Sequence, residues 1–174
     1  LSKKTPLTEN LVEEIVFEKA RIGFILNEDT ESLLNRLINS NTVSMRIKSL
    51  NLLARLKIKK EKYYESERLL KESLTINQEI SKIEEANSLR LLGELYLKRD
   101  KNLAEKYLLK ALSIDKELAI PEKIALDMEA LGRLYKNAAD KERAKIYFFK
   151  ALEIWKGIEK NKDETRVKEE LENL

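Results

Sequence analysis

The side chains of this chain that could do covalent or metal chemistry are nearly confined to carboxylates, amines and hydroxyls, because its 174 residues contain no histidine and no cysteine. The commonest general base, the thiolate nucleophile and the soft metal ligands are therefore missing. Three carboxylate pairs, Glu13-Glu14, Glu84-Glu85 and Glu169-Glu170, are chain neighbours. Adjacent residues do not face one another on a helix, so each pair reads as solvated surface and not as a convergent acid and base. Ser113-Ile-Asp-Lys116 matches a bare Ser-x-x-Lys string without the companion motifs of serine acyltransferases. The four glycines stand far apart, so no phosphate-cradling loop exists. No enzymatic activity, metal or cofactor is expected. What remains is recognition: Arg55, Arg90 and Arg133 carry planar guanidinium groups suited to charge-assisted hydrogen bonds with an acidic or phosphorylated peptide.

Composition agrees with a binding role and narrows it. Charged residues make up 37% of the chain yet nearly cancel to +3, which suggests neither nucleic acid nor an acidic tail. At 43% hydrophobic the chain can bury a continuous core. Its apolar runs, such as Tyr147-Phe148-Phe149, fall far short of the roughly twenty residues that span a bilayer. Leu1-Ser-Lys-Lys does not open a secretory leader, and the leucine start suggests a segment of a longer protein carrying other modules. The expected location is the cytoplasm, with no membrane partner.

The elements that must position these side chains are helices, since few glycines and prolines interrupt the chain and β-branched residues do not alternate. Thr8 or Asn10 would cap a first helix ending near Asn27, and Asp29-Thr30 a short second one to Asn39. Asn41-Thr42 opens a third to Lys59, followed by helices over 61–82, 84–99, 101–119, 122–138, 140–159 and 162–173. Two stretches are copies of one unit. Leu92-Gly-Glu-Leu-Tyr96 leads to Lys110-Ala-Leu-Ser-Ile114, and Leu131-Gly-Arg-Leu-Tyr135 leads to Lys150-Ala-Leu-Glu-Ile154. A weaker copy runs through Leu53-Ala-Arg-Leu56, Ser66, Ser73 and Ile76. A period of about forty residues means a stacked helical repeat.

Within each copy, Ser66 and Ser73, Ala104 and Ala111, and Ala144 and Ala151 are seven apart, bringing small residues onto one face where helices can approach closely. Gly93 and Gly132, with Ala54 at the matching place, supply the facing side. Tyr96 and Tyr135 are expected in the core. One member each of Tyr63-Tyr64 and Tyr147-Phe148-Phe149 should face outward, and Trp155 either packs on the last helix or marks an open partner site.

The pattern Leu-Gly-x-x-Tyr, then Ala-x-x-x-Phe or Leu, then Ala-Leu resembles the tetratricopeptide repeat, with Ala144-Lys-Ile-Tyr-Phe148 matching best. The long period is similar to repeats of kinesin light chains, Leu-Gly-Asn-type adaptors and maltose-activator-type regulatory domains, and the usual closing proline is replaced by Gln78, Lys116 and Lys156. The resemblance implies an all-α fold, a right-handed alpha-alpha superhelix of antiparallel helix pairs forming a TPR-like solenoid over 1–174. Its parts would be a degenerate pair at 8–40, repeats at 42–83, 84–120 and 121–160, and a capping helix at 161–174.

A solenoid of this kind is expected to bind a peptide or helix of a partner protein in its concave groove. The groove residues would be Lys48, Asn51, Arg55 and Lys59, then Asn87, Arg90, Glu94 and Lys98, then Glu129, Arg133 and Lys136. Basic residues outnumber acidic ones there, which suits an acidic partner. The carboxylate clamp that some family members use on chaperone tails is absent, since Asn51, Arg55, Leu91, Leu126 and Ala130 stand at its places. A base-reading RNA repeat is not expected either, because Asn51, Arg90 and Glu129 differ at one matched position. The alternative reading is a sensory or regulatory segment of a larger signalling or transcription-regulatory protein.

Overall fold

A computed structural model describes residues 6–174, and the reading of Leu1–Thr5 lies outside them. Among the described residues the chain forms nine helices and no strand: α1 (Pro6–Ile25), α2 (Glu31–Leu37), α3 (Val43–Lys59), α4 (Tyr63–Asn77), α5 (Lys82–Tyr96), α6 (Lys101–Glu117), α7 (Pro121–Asn137), α8 (Lys141–Gly157) and α9 (Asn161–Glu172). All nine expected helices are present. The first begins at Pro6, ahead of the expected Thr8 or Asn10, because proline's fixed backbone angle suits a first helical turn. None is long and apolar enough to cross a membrane.

Helix boundaries follow from local chemistry. Asp100 and Asp140 accept hydrogen bonds from the backbone N–H groups of Leu103 and Arg143 at 3.0 and 3.1 Å, capping α6 and α8. At the other ends the chain reverses through non-glycine residues with positive φ: Asn27, Glu61, Ala119, Ala139 and Glu159. Each is followed by an N–H that reaches back to a carbonyl of the last turn, as in Lys62 to Lys57 at 2.8 Å and Asp140 to Tyr135 at 2.9 Å. This closing turn normally favours glycine at the left-handed position. Its hydrogen bonds and the packing of the helices around it hold alanine and glutamate there instead.

The fold divides into two compact units, one up to Ser88 and one from Leu89 onward, with the boundary inside α5. In the first unit α1 packs on α2 and α3, and α3 on α4; in the second, α6 packs on α7, α7 on α8 and α8 on α9. Within each unit these helices thus pack chiefly on sequence neighbours, as tandem helix pairs do. The small residues sit at the closest crossings. Ala104, Ala111, Ala144, Ala151, Ser66 and Ser73 are fully buried. A Cβ on Gly132 would come within 2.7 Å of the Phe148 ring, and one on Gly93 within 2.5 Å of Leu108. Ser66 turns its hydroxyl into the crossing and donates to the Ala54 carbonyl at 3.0 Å.

Around these crossings Leu108, Leu131, Leu134, Tyr135, Phe148, Trp155 and Val167 form the core of the second unit, with Tyr96 packed partly against it. Trp155 is buried, which agrees with the packed reading of that residue. Phe148 is buried and Phe149 exposed, as expected of that triplet. The Tyr63-Tyr64 expectation needs correction: both rings face solvent, because the pair starts α4 before the helix reaches its packed face at Ser66.

Candidate partner-binding faces

Three of the residues expected to line an open groove are instead buried and bonded within the fold. Asn51, Arg90 and Glu129 occupy one matched position in successive repeats, and each reaches the helix after next. Asn51, on α3, receives a hydrogen bond from Ser88 Oγ at 2.7 Å and donates to the Glu84 carboxylate at 2.8 Å. Arg90, on α5, forks to two fully buried carboxylates, donating to Asp127 of α7 and Asp115 of α6 at 2.5 Å each. Glu129, on α7, accepts from Arg166 of α9 at 2.7 and 3.1 Å and from the Trp155 indole N–H at 2.7 Å. In all three, the partner lies 37 residues further along the chain. The position is a polar joint between repeats, built with a different pair each time.

The Arg90 joint is electrostatically uneven, since two carboxylates share one guanidinium and their outer oxygens, Asp115 Oδ1 and Asp127 Oδ2, receive no hydrogen bond. Burial pushes the Asp127 carboxyl up to about 7, against the pull of Arg90 and with the neighbouring Asp115 adding to the rise. The folded state therefore holds a proton at a pH where the unfolded chain has released it. Its stabilising effect is complete below the ordinary aspartate value of 3.8 and disappears as pH rises through about 7. Glu31, held down to about 2 by hydrogen bonds from Lys57 and Lys60, acts only at lower pH. The chain should thus resist urea better at about pH 5 than at pH 7.5, and Asp127→Asn should flatten that slope. A parent protein without this difference would mean that Asp127 is ionised throughout.

The remaining expected residues lie nearer the surface. On α3, Lys48, Arg55 and Lys59 are seven and four residues apart and share one face. Lys48 lies 3.5 Å from Glu14. The Arg55 guanidinium stacks 5.0 Å above the Phe24 ring, and the Lys59 ammonium lies 4.0 Å from the same centroid. Lys59 also donates to the Phe24 carbonyl at 3.2 Å and to Asn27 Oδ1 at 3.0 Å, both uncharged acceptors. Asn87 is half-buried and donates to Glu84 at 3.2 Å.

In the second unit Arg133 lies between two carboxylates, 3.2 Å from Glu94 and 3.4 Å from Glu129. Lys136 pairs with Glu170 of α9 at 2.8 Å, and Lys98 is exposed. Leu91 and Ala130, at two of the clamp places, are buried. Among the described residues no group of carboxylates is placed to hold a metal ion.

Lys57, a charge that helps define the fold, has no place among the residues the sequence pattern singles out. Lys57 is buried and donates to Glu31 while meeting Glu65, both at 2.6 Å. Its place four residues after Leu53, on the packed face of α3, was the signal available. Arg90, expected in the groove, lies within Leu89-Arg90-Leu91-Leu92, a run whose apolar neighbours point to burial instead.

Two family models described as tetratricopeptide repeat match this sequence, one over residues 45–117 and one over 128–154. No match is found among curated protein sequences. Among solved structures, the crystal structure of BtubC (BKLC) from P. vanneervenii is similar with a TM-score of 0.63 and 22% sequence identity. The likeness is one of fold. It covers 89% of this chain and 62% of the other, so this chain spans under two thirds of that protein's length.

Proposed function

The chain belongs to the tetratricopeptide-repeat family, whose repeats serve protein–protein interaction, and we propose from that premise that it is an adaptor holding an acidic peptide or helix of a partner protein. The observation that carries the acidic preference is the α3 face. There Lys48, Arg55 and Lys59 align, and Lys59 is held by the Phe24 ring, a carbonyl and an amide oxygen. Neutral acceptors leave the positive charge of Lys59 uncancelled, so an arriving carboxylate gains a charge-assisted hydrogen bond without displacing another anion. Arg133 is a weaker candidate for such contact, because Glu94 and Glu129 already flank it.

The test is direct. A partner captured by the domain should bind the Lys48→Glu, Arg55→Glu, Lys59→Glu variant at least about tenfold more weakly, and binding to the parent should weaken with salt as exposed charges are screened. Circular dichroism should stay unchanged, since none of the three side chains is buried. Undiminished affinity would remove α3 from the binding surface.

A further inference from the structure

Helices α6 and α8 are the second helices of two consecutive pairs in the second unit, and each turns its small residues, Ala104 and Ala111 or Ala144 and Ala151, inward. Their opposite faces look outward on one side of that unit. The two helices expose nine basic residues against three carboxylates, Glu117, Glu142 and Glu153, although the whole chain carries only +3. The bias recurs from one pair to the next, with Lys101 and Lys141, Lys110 and Lys150, and Lys116 and Lys156 at matched places. Among the described residues Lys106, Lys116 and Lys145 enter no ion pair, unlike Lys57, Lys60 or Lys136.

Large apolar side chains stand among these lysines. Leu109 and Phe149 occupy another matched place, 42% and 53% exposed, and Ile146, 51% exposed, lies one turn before Phe149. A phosphate backbone held by lysine needs no apolar neighbours. A protein interface would favour arginine and is depleted in lysine, whereas eight of the nine basic residues here are lysine. A bilayer surface uses both features, since anionic headgroups attract the ammonium groups while large apolar side chains enter the boundary between headgroup and acyl chain. We propose that the outer faces of α6 and α8 form a docking surface for an anionic lipid bilayer. Docking of this kind needs no helix long enough to cross the membrane. The long lysine stems keep the charge at the headgroups as the apolar residues between them go deeper. The surface lies in the second unit, so the inference stands apart from the α3 face.

The experiment is flotation of the chain with lipid vesicles. It should bind vesicles of phosphatidylglycerol mixed with phosphatidylcholine, and bind less as salt rises, but leave pure phosphatidylcholine vesicles alone. The Lys106→Glu, Lys145→Glu, Lys150→Glu variant should bind at least about tenfold more weakly. Ile146→Ser with Phe149→Ser should cost about threefold. All five side chains are exposed, so circular dichroism should not change. Insertion has its own readout, because the chain has no cysteine. A polarity-sensitive dye on Phe149→Cys should shift its emission to the blue with anionic vesicles and not with polyglutamate. A chain that ignores anionic vesicles overturns the proposal, as does one that binds neutral vesicles equally well. Capture by polyglutamate as tight as by vesicles, without a blue shift on either, overturns it too and assigns the face to an acidic protein.

Discussion

Replacing Arg90 with alanine should lower the unfolding free energy by about 3–5 kcal/mol, because it strands two buried carboxylates. Asp115 and Asp127 have no exposed surface, and Arg90 donates a hydrogen bond to each. The large number measures stranding and not the net worth of the ion pair, and the two can be separated. A triple variant with apolar residues of similar volume at 90, 115 and 127 should recover most of the loss. Arg90→Lys should fall between, since a single ammonium cannot fork to two carboxylates as a guanidinium does. Arg21→Ala, at a solvent-screened surface pair with Glu18, should leave the unfolding midpoint essentially where it is. Urea denaturation of the four variants decides the matter, and a loss below about 1 kcal/mol for Arg90→Ala would mean the carboxylates reach water or another donor.

Glu129→Ala should cost about 3 kcal/mol and act on one element first. The lost carboxylate is the acceptor of the buried Trp155 N–H and the anchor of Arg166. Arg166 can turn to water because its side chain is 43% exposed, whereas the indole cannot. Helix α9 is fastened to the second unit by that joint, by Val167 and by the Lys136–Glu170 pair. Amides of Asn161–Glu172 should therefore exchange with solvent faster while α7 stays protected. The chain has one tryptophan, so its fluorescence should shift to the red in step. Glu129→Gln, which keeps an acceptor for the indole, should soften both effects. Unchanged exchange in α9 would show that Val167 and its neighbours hold the helix unaided.

These two residues also mark how far sequence patterns reached. Helix number, boundaries within a few residues and the small-residue crossings were readable because each rests on local periodicity or on a repeated motif, such as Gly132 facing Phe148. The partner face was harder. Arg90 and Glu129 read as groove residues from their register, one helical turn before Gly93 and Gly132, yet repeated position and charge type do not reveal burial when the compensating charge lies 37 residues away. Asp127 and Arg166 had to be seen beside them. Where the long-range partners are uncharged, as the Phe24 ring is for Arg55 and Lys59, the expectation of surface exposure agrees with the structure. The exposed apolar residues of α1, Leu11, Ile15 and Ile22, stand at helical spacing in the sequence, but without a known packed side they could not be told from core-facing ones.

The three joints differ in kind: amide with hydroxyl, guanidinium with carboxylate, carboxylate with guanidinium. Repeats joined by identical contacts can be duplicated or lost by recombination between copies, since any unit fits any neighbour. Here the loss of one unit after Arg90 would bring that arginine against Arg166, cation to cation inside the fold. A chain shortened in that way would carry its own defect, so the number and order of these repeats are guarded by their joints and can change only if a joint is rewritten at the same time.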